Sequence, residues 1–224
     1  MEVTLIGCSQ YFDGRGNIEA LIERAGRICY QSEPRGKPGE FIARRVAEGH
    51  ESIIEHASAS FEVNGISRAA SHQLVRHRIA SYSQSSQRYI RLGSFPGEPA
   101  METIERLFVI PPDIAASEQT KNAFIASMIL ALAYYEELIE AGIKKEDARF
   151  VLPNATKTSI VVTMNFRSWR HFIKERGLNP AAQWEIRELA LIILEQLNFI
   201  APSVFRDLIT KRDSQMSLPG EKVT

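Results

Sequence analysis

Apolar positions change period several times along the chain, and each change marks an element. The opening run Val3 to Cys8 predicts a strand, and Ile18, Leu21, Ile22, Ala25 and Ile28 then recur at helical spacing, predicting a helix from Asn17 to Tyr30. A second helix, Glu40 to Glu48, stops at Gly49. Ala57, Ala59, Phe61 and Val63 alternate with Ser58, Ser60, Glu62 and Asn64, the pattern of a half-buried strand closed by Asn64-Gly65. Ser67 to Val75 reads as a helix that delivers Arg76-His77-Arg78 to its C-terminus, before a serine-rich loop or irregular strand. Gly93 to Pro99 is punctuated by glycine and proline, and Phe108 opens a short extended piece ending in two prolines. There follow a long helix from Ser117 to Ala141, a short one from Lys144 to Pro153, and a β-branched strand from Thr158 to Met164. A helix capped by Ser168 runs to Arg176, a final helix begins at Pro180 and reaches Ile200, and the tail after Arg212 is expected to be loose.

Strands and helices are intermixed without a βαβ repeat, and no period of about 20 to 50 residues recurs, so the expected class is α+β with a small, mainly antiparallel sheet. One domain over residues 1–212 with a flexible tail, 213–224, accounts for the length. The start carries no basic segment ahead of a long apolar one, so it does not read as a secretory signal. The aliphatic stretch Ile125 to Leu132 lies between Lys121 and Glu136, short of the roughly 20 apolar residues that span a bilayer, and a soluble cytoplasmic protein is expected.

Composition narrows the chemistry. Lys plus Arg and Asp plus Glu balance at 27 each, which argues against a basic field able to hold a nucleic acid by counterion release. Cys8 and Cys29 stand alone, without metal-ligand spacing, and are expected in the core. His50 and His56 flank Glu51 but are six apart, about 240° around a helix, which is wrong for shared zinc ligation; no metal is expected. No GxGxxG or P-loop occurs, and no Ser/His/Asp or Cys/His arrangement is evident.

What remains is basic and polar. Between Arg76 and Tyr89, fourteen residues hold three arginines, one histidine and eight hydroxyl or amide side chains. Arginine forks fit phosphate oxygens, and serine and glutamine read polar ring edges, so the segment suits a nucleotide; a solvated loop is the alternative. Arg149, Arg167, Arg170, His171, Lys174 and Arg176 form a second cluster, in which Arg167 and His171, four apart, share a face if helical; a solvated helix face also accounts for it. A nucleotide- or RNA-binding regulatory module would use the same arginines without redox chemistry.

The order of motifs decides further. Arg76-His77-Arg78, a seven-residue gap, then Ser86 and Arg88 resemble the signature of the flavin-dependent thymidylate synthases, the thymidylate synthase-complementing proteins. Ala25-Gly26-Arg27-Ile28-Cys29-Tyr30, His50-Glu51-Ser52 with Glu55-His56, Arg149 to Pro153, Asn165 to His171 and Gln183 to Ile186 resemble the family in the same order, covering residues 3 to 210. Two departures stand out: one extra residue between Arg176 and Gln183, and Ala181 near a place where the family often has histidine.

The resemblance implies that family's fold and the reductive methylation of dUMP to dTMP. FAD would carry hydride, NADPH would be the reductant, 5,10-methylenetetrahydrofolate the carbon donor, and a homotetramer would share its sites between subunits. It implies dUMP contacts from Gln73, Leu74, Val75, Arg76, Gln84, Ser85, Ser86, Gln87, Arg88, Arg149 and Arg176. FAD contacts would come from Ser52, Arg76, His77, Arg78, Gln84, Asn165, Phe166, Arg167 and His171. Arg176 would be catalytic, stabilising negative charge on the uracil. Ser86, lacking an adjacent base, would be a ligand contact and no nucleophile.

Overall fold

The computed structural model describes residues 1–12, 17–29, 31–33, 36–93 and 100–216. The expected helix end at Tyr30, most of the Gly93 to Pro99 stretch and the last eight residues lie outside them. Four strands, β1 (Glu2–Cys8), β2 (Ser58–Ser67), β3 (Ser81–Gln84) and β4 (Lys157–Asn165), form one sheet in the order β1-β2-β4-β3. With the helices around it this is the α+β class expected. Burial alternates along β4, with Thr158, Ile160, Val162 and Met164 inside, as period two requires.

The chain divides into two compact units. One comprises Met1–Glu2, Val63–Val75 and Ser83–Ile160, and the other Val3–Glu62, Arg76–Tyr82 and the part from Val161 on. The first contains α3 (Arg68–Leu74), α4 (Ala100–Leu107), α5 (Pro112–Ala115), α6 (Glu118–Glu140) and α7 (Lys145–Ala148). Its core gathers Ile104, Phe108, Ile125, Met128, Leu132, Tyr135 and Ala148. Spacings of three, four and three put the α6 members on one helical stripe. Taken alone, α6 is long and apolar enough to cross a membrane, which the reading of Ile125 to Leu132 did not grant it. Its buried stripe packs in the core of its own unit, while Leu130 and Tyr134 stay more than half exposed.

The second unit holds α1 (Ile18–Cys29), α2 (Pro38–Ala47), α8 (Phe166–Phe172), α9 (Trp184–Ile200) and α10 (Pro202–Met216). Trp169 is fully buried, donates its indole N–H to the Ala59 carbonyl at 3.1 Å, and packs edge-on against Phe61 and Phe172. Arg170 is 2 % exposed and pairs through both terminal nitrogens with Asp207, each at 2.7 Å, pinning α8 to α10.

Several boundaries differ from expectation for identifiable reasons. Asn64-Gly65 does not end β2: Gly65 takes φ +78°, a left-handed conformation that glycine tolerates, and the strand continues to Ser67. The Asn165 side chain, not Ser168, caps α8, accepting from the Ser168 N–H at 2.8 Å. Beyond Phe172 the helix widens into a π turn, Ile173–Gly177. The next helix starts at Trp184 behind a Gln183 cap, because the Gln183 side chain accepts from Glu185 and Ile186. Pro180 therefore precedes it by four residues. Helix α10 was not foreseen, and it runs to Met216, past the Arg212 at which a loose tail was expected. Cys8 and Cys29 are both exposed, contrary to the core placement expected: Cys8 ends β1 and Cys29 ends α1.

Candidate active site

In the second unit, residues from four stretches converge on a cavity of about 870 Å3. The 3-10 segment Glu51–His56 brings Glu51 and Glu55. The stretch after α3 brings Arg76, His77, Arg78 and Ile79, while Asn165 and α8 bring Arg167, Ser168 and His171. The π turn completes the lining with Lys174, Glu175 and Arg176. Part of each basic cluster thus meets here, without Arg88, Arg149 or Arg170, and Arg167 and His171 share the face predicted by their spacing.

The lining carries five cationic side chains against three carboxylates. Two of the acids are engaged in holding cations. Glu55 accepts from Arg167 at 2.5 Å, and Glu51 binds Arg170 and Lys174, each at 3.2 Å. Burial works to raise the Glu51 carboxyl, but the hydrogen bond and charge of Lys174 and the charge of Arg170 outweigh it and hold the group below the usual range. Arg76 and Arg78 are exposed and have no hydrogen bond or ion pair to any described residue. Those two forks remain available to an anion.

His77 and Arg176 meet at the floor. The Arg176 Nε–H donates to His77 Nε2 at 3.2 Å, and the His77 ring lies edge-on to Phe172 and His171, at centroid distances of 5.0 and 5.7 Å. Burial first, then the charge of Arg176 and that of His171, push the His77 imidazole down to about 4, against an opposing pull from Glu175. It is neutral near pH 7. Gly177 closes the π turn where a Cβ would lie 3.3 Å from the Ala190 Cβ, so glycine here serves close packing on α9.

In the first unit, a hollow of about 370 Å3 is lined by Ser85, Ser86 and Gln87 together with Arg68, Arg91, Arg106 and Lys157, and by no acidic residue. Arg68 donates to the Ser85 carbonyl at 2.7 Å, and the Ser85 N–H donates to the Ser159 carbonyl at 2.9 Å, so the serine loop is tied to β4. Gln84 Nε2 donates to Ser71 and Thr158 hydroxyls at 3.0 and 3.3 Å. Arg88 and Arg149 both lean on Glu146: Arg88 Nε pairs with its carboxylate at 3.1 Å, and Arg149 Nε donates to its carbonyl at 3.1 Å.

Not every expected contact is placed for one. Leu74 and Phe166 have fully buried side chains, and Phe166 packs on Phe205, so neither side chain can meet a ligand. Ser52 is exposed but is not among the residues lining the large cavity, nor is Gln84; Gln73, Val75, Arg88 and Arg149 line neither hollow. Conversely, Glu51, Glu55, Lys174 and Glu175 were not singled out as site residues, nor were the cations Arg68, Arg91, Arg106 and Lys157. The available signals were the motif His50-Glu51-Ser52 with Glu55-His56, for Glu51 and Glu55, and the second basic cluster, for Lys174.

The chain is similar to known proteins over most of its length. The family model for thymidylate synthase complementing protein matches residues 13–203. A flavin-dependent thymidylate synthase of Geobacter sulfurreducens is 44 % identical over 198 residues, spanning 84 % of this chain and 81 % of that one. One from Mycobacterium leprae is 39 % identical over 212 residues, spanning 84 % and 79 %. In three dimensions the chain is similar to a Helicobacter pylori flavin-dependent thymidylate synthase solved with FAD and dUMP, with a TM-score of 0.75, 27 % identity and coverage of 92 % and 99 %. A match over most of the length, with both basic motifs gathered as described, leaves one conclusion: the chain belongs to the thymidylate synthase complementing protein family.

Proposed function

We propose that this protein is a flavin-dependent thymidylate synthase that converts dUMP to dTMP, with 5,10-methylenetetrahydrofolate as carbon donor and NADPH as reductant. The observation that carries the reading is the cationic cavity built from Arg76, His77, Arg78, Arg167 and Arg176 in a member of this family. Its volume is within the range of small-molecule sites, and two unengaged arginines suit the two charges of a pyrophosphate. FAD therefore fits, and Arg76, Arg78, Arg167, His171 and Asn165 would hold it. When bound, it supplies the hydride that completes the methyl group.

The chain's own residues do the remaining work. Ser85, Ser86 and Gln87 offer hydroxyl and amide groups to dUMP, beside cations that balance a phosphate monoester carrying close to two charges. Arg88 and Arg149, which line neither hollow, are each oriented through Nε by Glu146, and their terminal nitrogens would serve as phosphate forks for a nucleotide that extends past the hollow. Arg176 stabilises negative charge on the uracil and so activates it without a cysteine adduct, in line with the placement of Cys8 and Cys29 away from both hollows.

The protein works as a homotetramer in which the nucleotide residues of one copy meet the flavin residues of another. Exposed Leu130 and Tyr134 on α6 and Phe199 on α9 offer apolar surface for such contacts. An absorbance spectrum after adding FAD and removing the excess tests the whole reading. Bound flavin that bleaches with anaerobic NADPH, and reoxidises with release of dTMP once dUMP and methylenetetrahydrofolate are added, is the expected result. A colourless protein would sink it.

A further inference from the structure

We infer that His77 is a positioning residue for the reaction: its neutral imidazole accepts the Arg176 Nε–H and fixes the guanidinium assigned above to the uracil. The inference rests on the thymidylate synthase reading but assigns His77 a task separate from touching flavin.

The geometry is specific. The acceptor is Nε2, at 3.2 Å from Arg176 Nε, so the ring proton must reside on Nδ1. Consuming Nε–H leaves the two terminal nitrogens of Arg176 without a partner among the described residues, and those are the donors a uracil edge would use. A single hydrogen bond at Nε removes the rotation that a long side chain otherwise keeps. His77 is in turn immobilised. Its carbonyl accepts from the Tyr82 hydroxyl at 2.7 Å, and its ring is wedged against Phe172.

The support is also electrostatic. The charged and titratable groups acting on the ring are Arg176 and Glu175 from the π turn and His171 from α8, while the Tyr82 hydroxyl of β3 binds the His77 carbonyl; Glu175 alone favours a proton on the ring. Protonated, His77 would lose its acceptor and repel the guanidinium. The π turn makes the approach feasible, because such turns displace side chains from the regular α-helical positions and recur at functional sites.

The test compares His77→Leu, which removes the acceptor, with His77→Gln, whose amide oxygen reaches nearly as far as Nε2; circular dichroism checks that both fold. With FAD and dUMP saturating, His77→Leu is expected to lower kcat by about 10- to 100-fold, the scale of a small misplacement at a reacting centre, with His77→Gln recovering much of it. In an Arg176→Ala background, His77→Leu should add nothing further, because it acts through the group already removed.

A loss that disappears once FAD saturates, equal losses in the Leu and Gln variants, or losses that multiply with Arg176→Ala would each overturn the inference. A readout independent of turnover is the NMR titration of His77 in the protein without cofactor. The imidazole should stay neutral to about pH 4 and titrate higher in Arg176→Ala. An unchanged titration would also overturn it. A wild-type protein that binds no FAD and makes no dTMP would instead bring down the parent reading, and the titration would still decide whether His77 holds Arg176.

Discussion

At the scale of single residues, the site combines cations oriented by partners distant in sequence, Arg167, Lys174 and Arg176, with the unengaged Arg76 and Arg78. Arg176→Ala should keep bound FAD, visible in the flavin spectrum, and lose most dTMP formation; near-normal turnover would remove Arg176 from the chemistry. Replacing Cys8 and Cys29 together with alanine should leave activity intact, since both are exposed and neither lines a hollow. The depressed His77 gives a pH prediction with a definite sign. Between its unfolded value near 6.5 and about 4 the unfolded chain binds the extra proton, so His77 lowers stability as pH falls through that window. Urea midpoints at pH 7 and pH 5 for wild type and His77→Gln check this, the variant losing less on acidification. The arginine-rich segment was legible because its composition is local. The Glu51 contacts were not, because Arg170 lies 119 positions away and no pattern in the chain links the two.

At the scale of elements, periodicity identified the strands and long helices well, while helix starts were misplaced in an instructive way. Asn165 and Ser168 are both capping residue types three apart, which is the spacing between a cap and the N–H it serves, so either could be read as the cap. Asn165→Ala should cost about 1 kcal/mol of stability, seen as a lowered thermal midpoint, and should loosen the start of the helix that carries Arg167 and His171. A variant as stable as wild type would show that β4 holds this junction without the cap. The π turn was illegible because one widened turn changes no composition and only one step of the apolar period. Helix α10 was missed because the helical signal of α9 was read as the last.

At the scale of the whole molecule, the residues lining the two hollows lie in different compact units, and the proposed tetramer has the consequence that they can be supplied by different copies. An inactive Arg88→Ala variant mixed with an inactive Arg76→Ala variant, after dissociation and reassembly, should regain part of the activity if each hybrid contains some intact sites. Mixtures as dead as their parents, with hybrids verified by native mass spectrometry, would place each site within one copy. Sequence could suggest such sharing only through family resemblance, because a contact between chains leaves no periodicity in either. The exposed face of α6 carries a further consequence for the protein in its cell. With Leu130 57 % and Tyr134 58 % exposed, a newly made chain of the proposed tetramer would present adhesive surface until it assembled. Survival at low expression would then be governed by the race between encounter and proteolysis, so that the dose of the gene, as much as the integrity of each chain, would set how much enzyme a cell keeps.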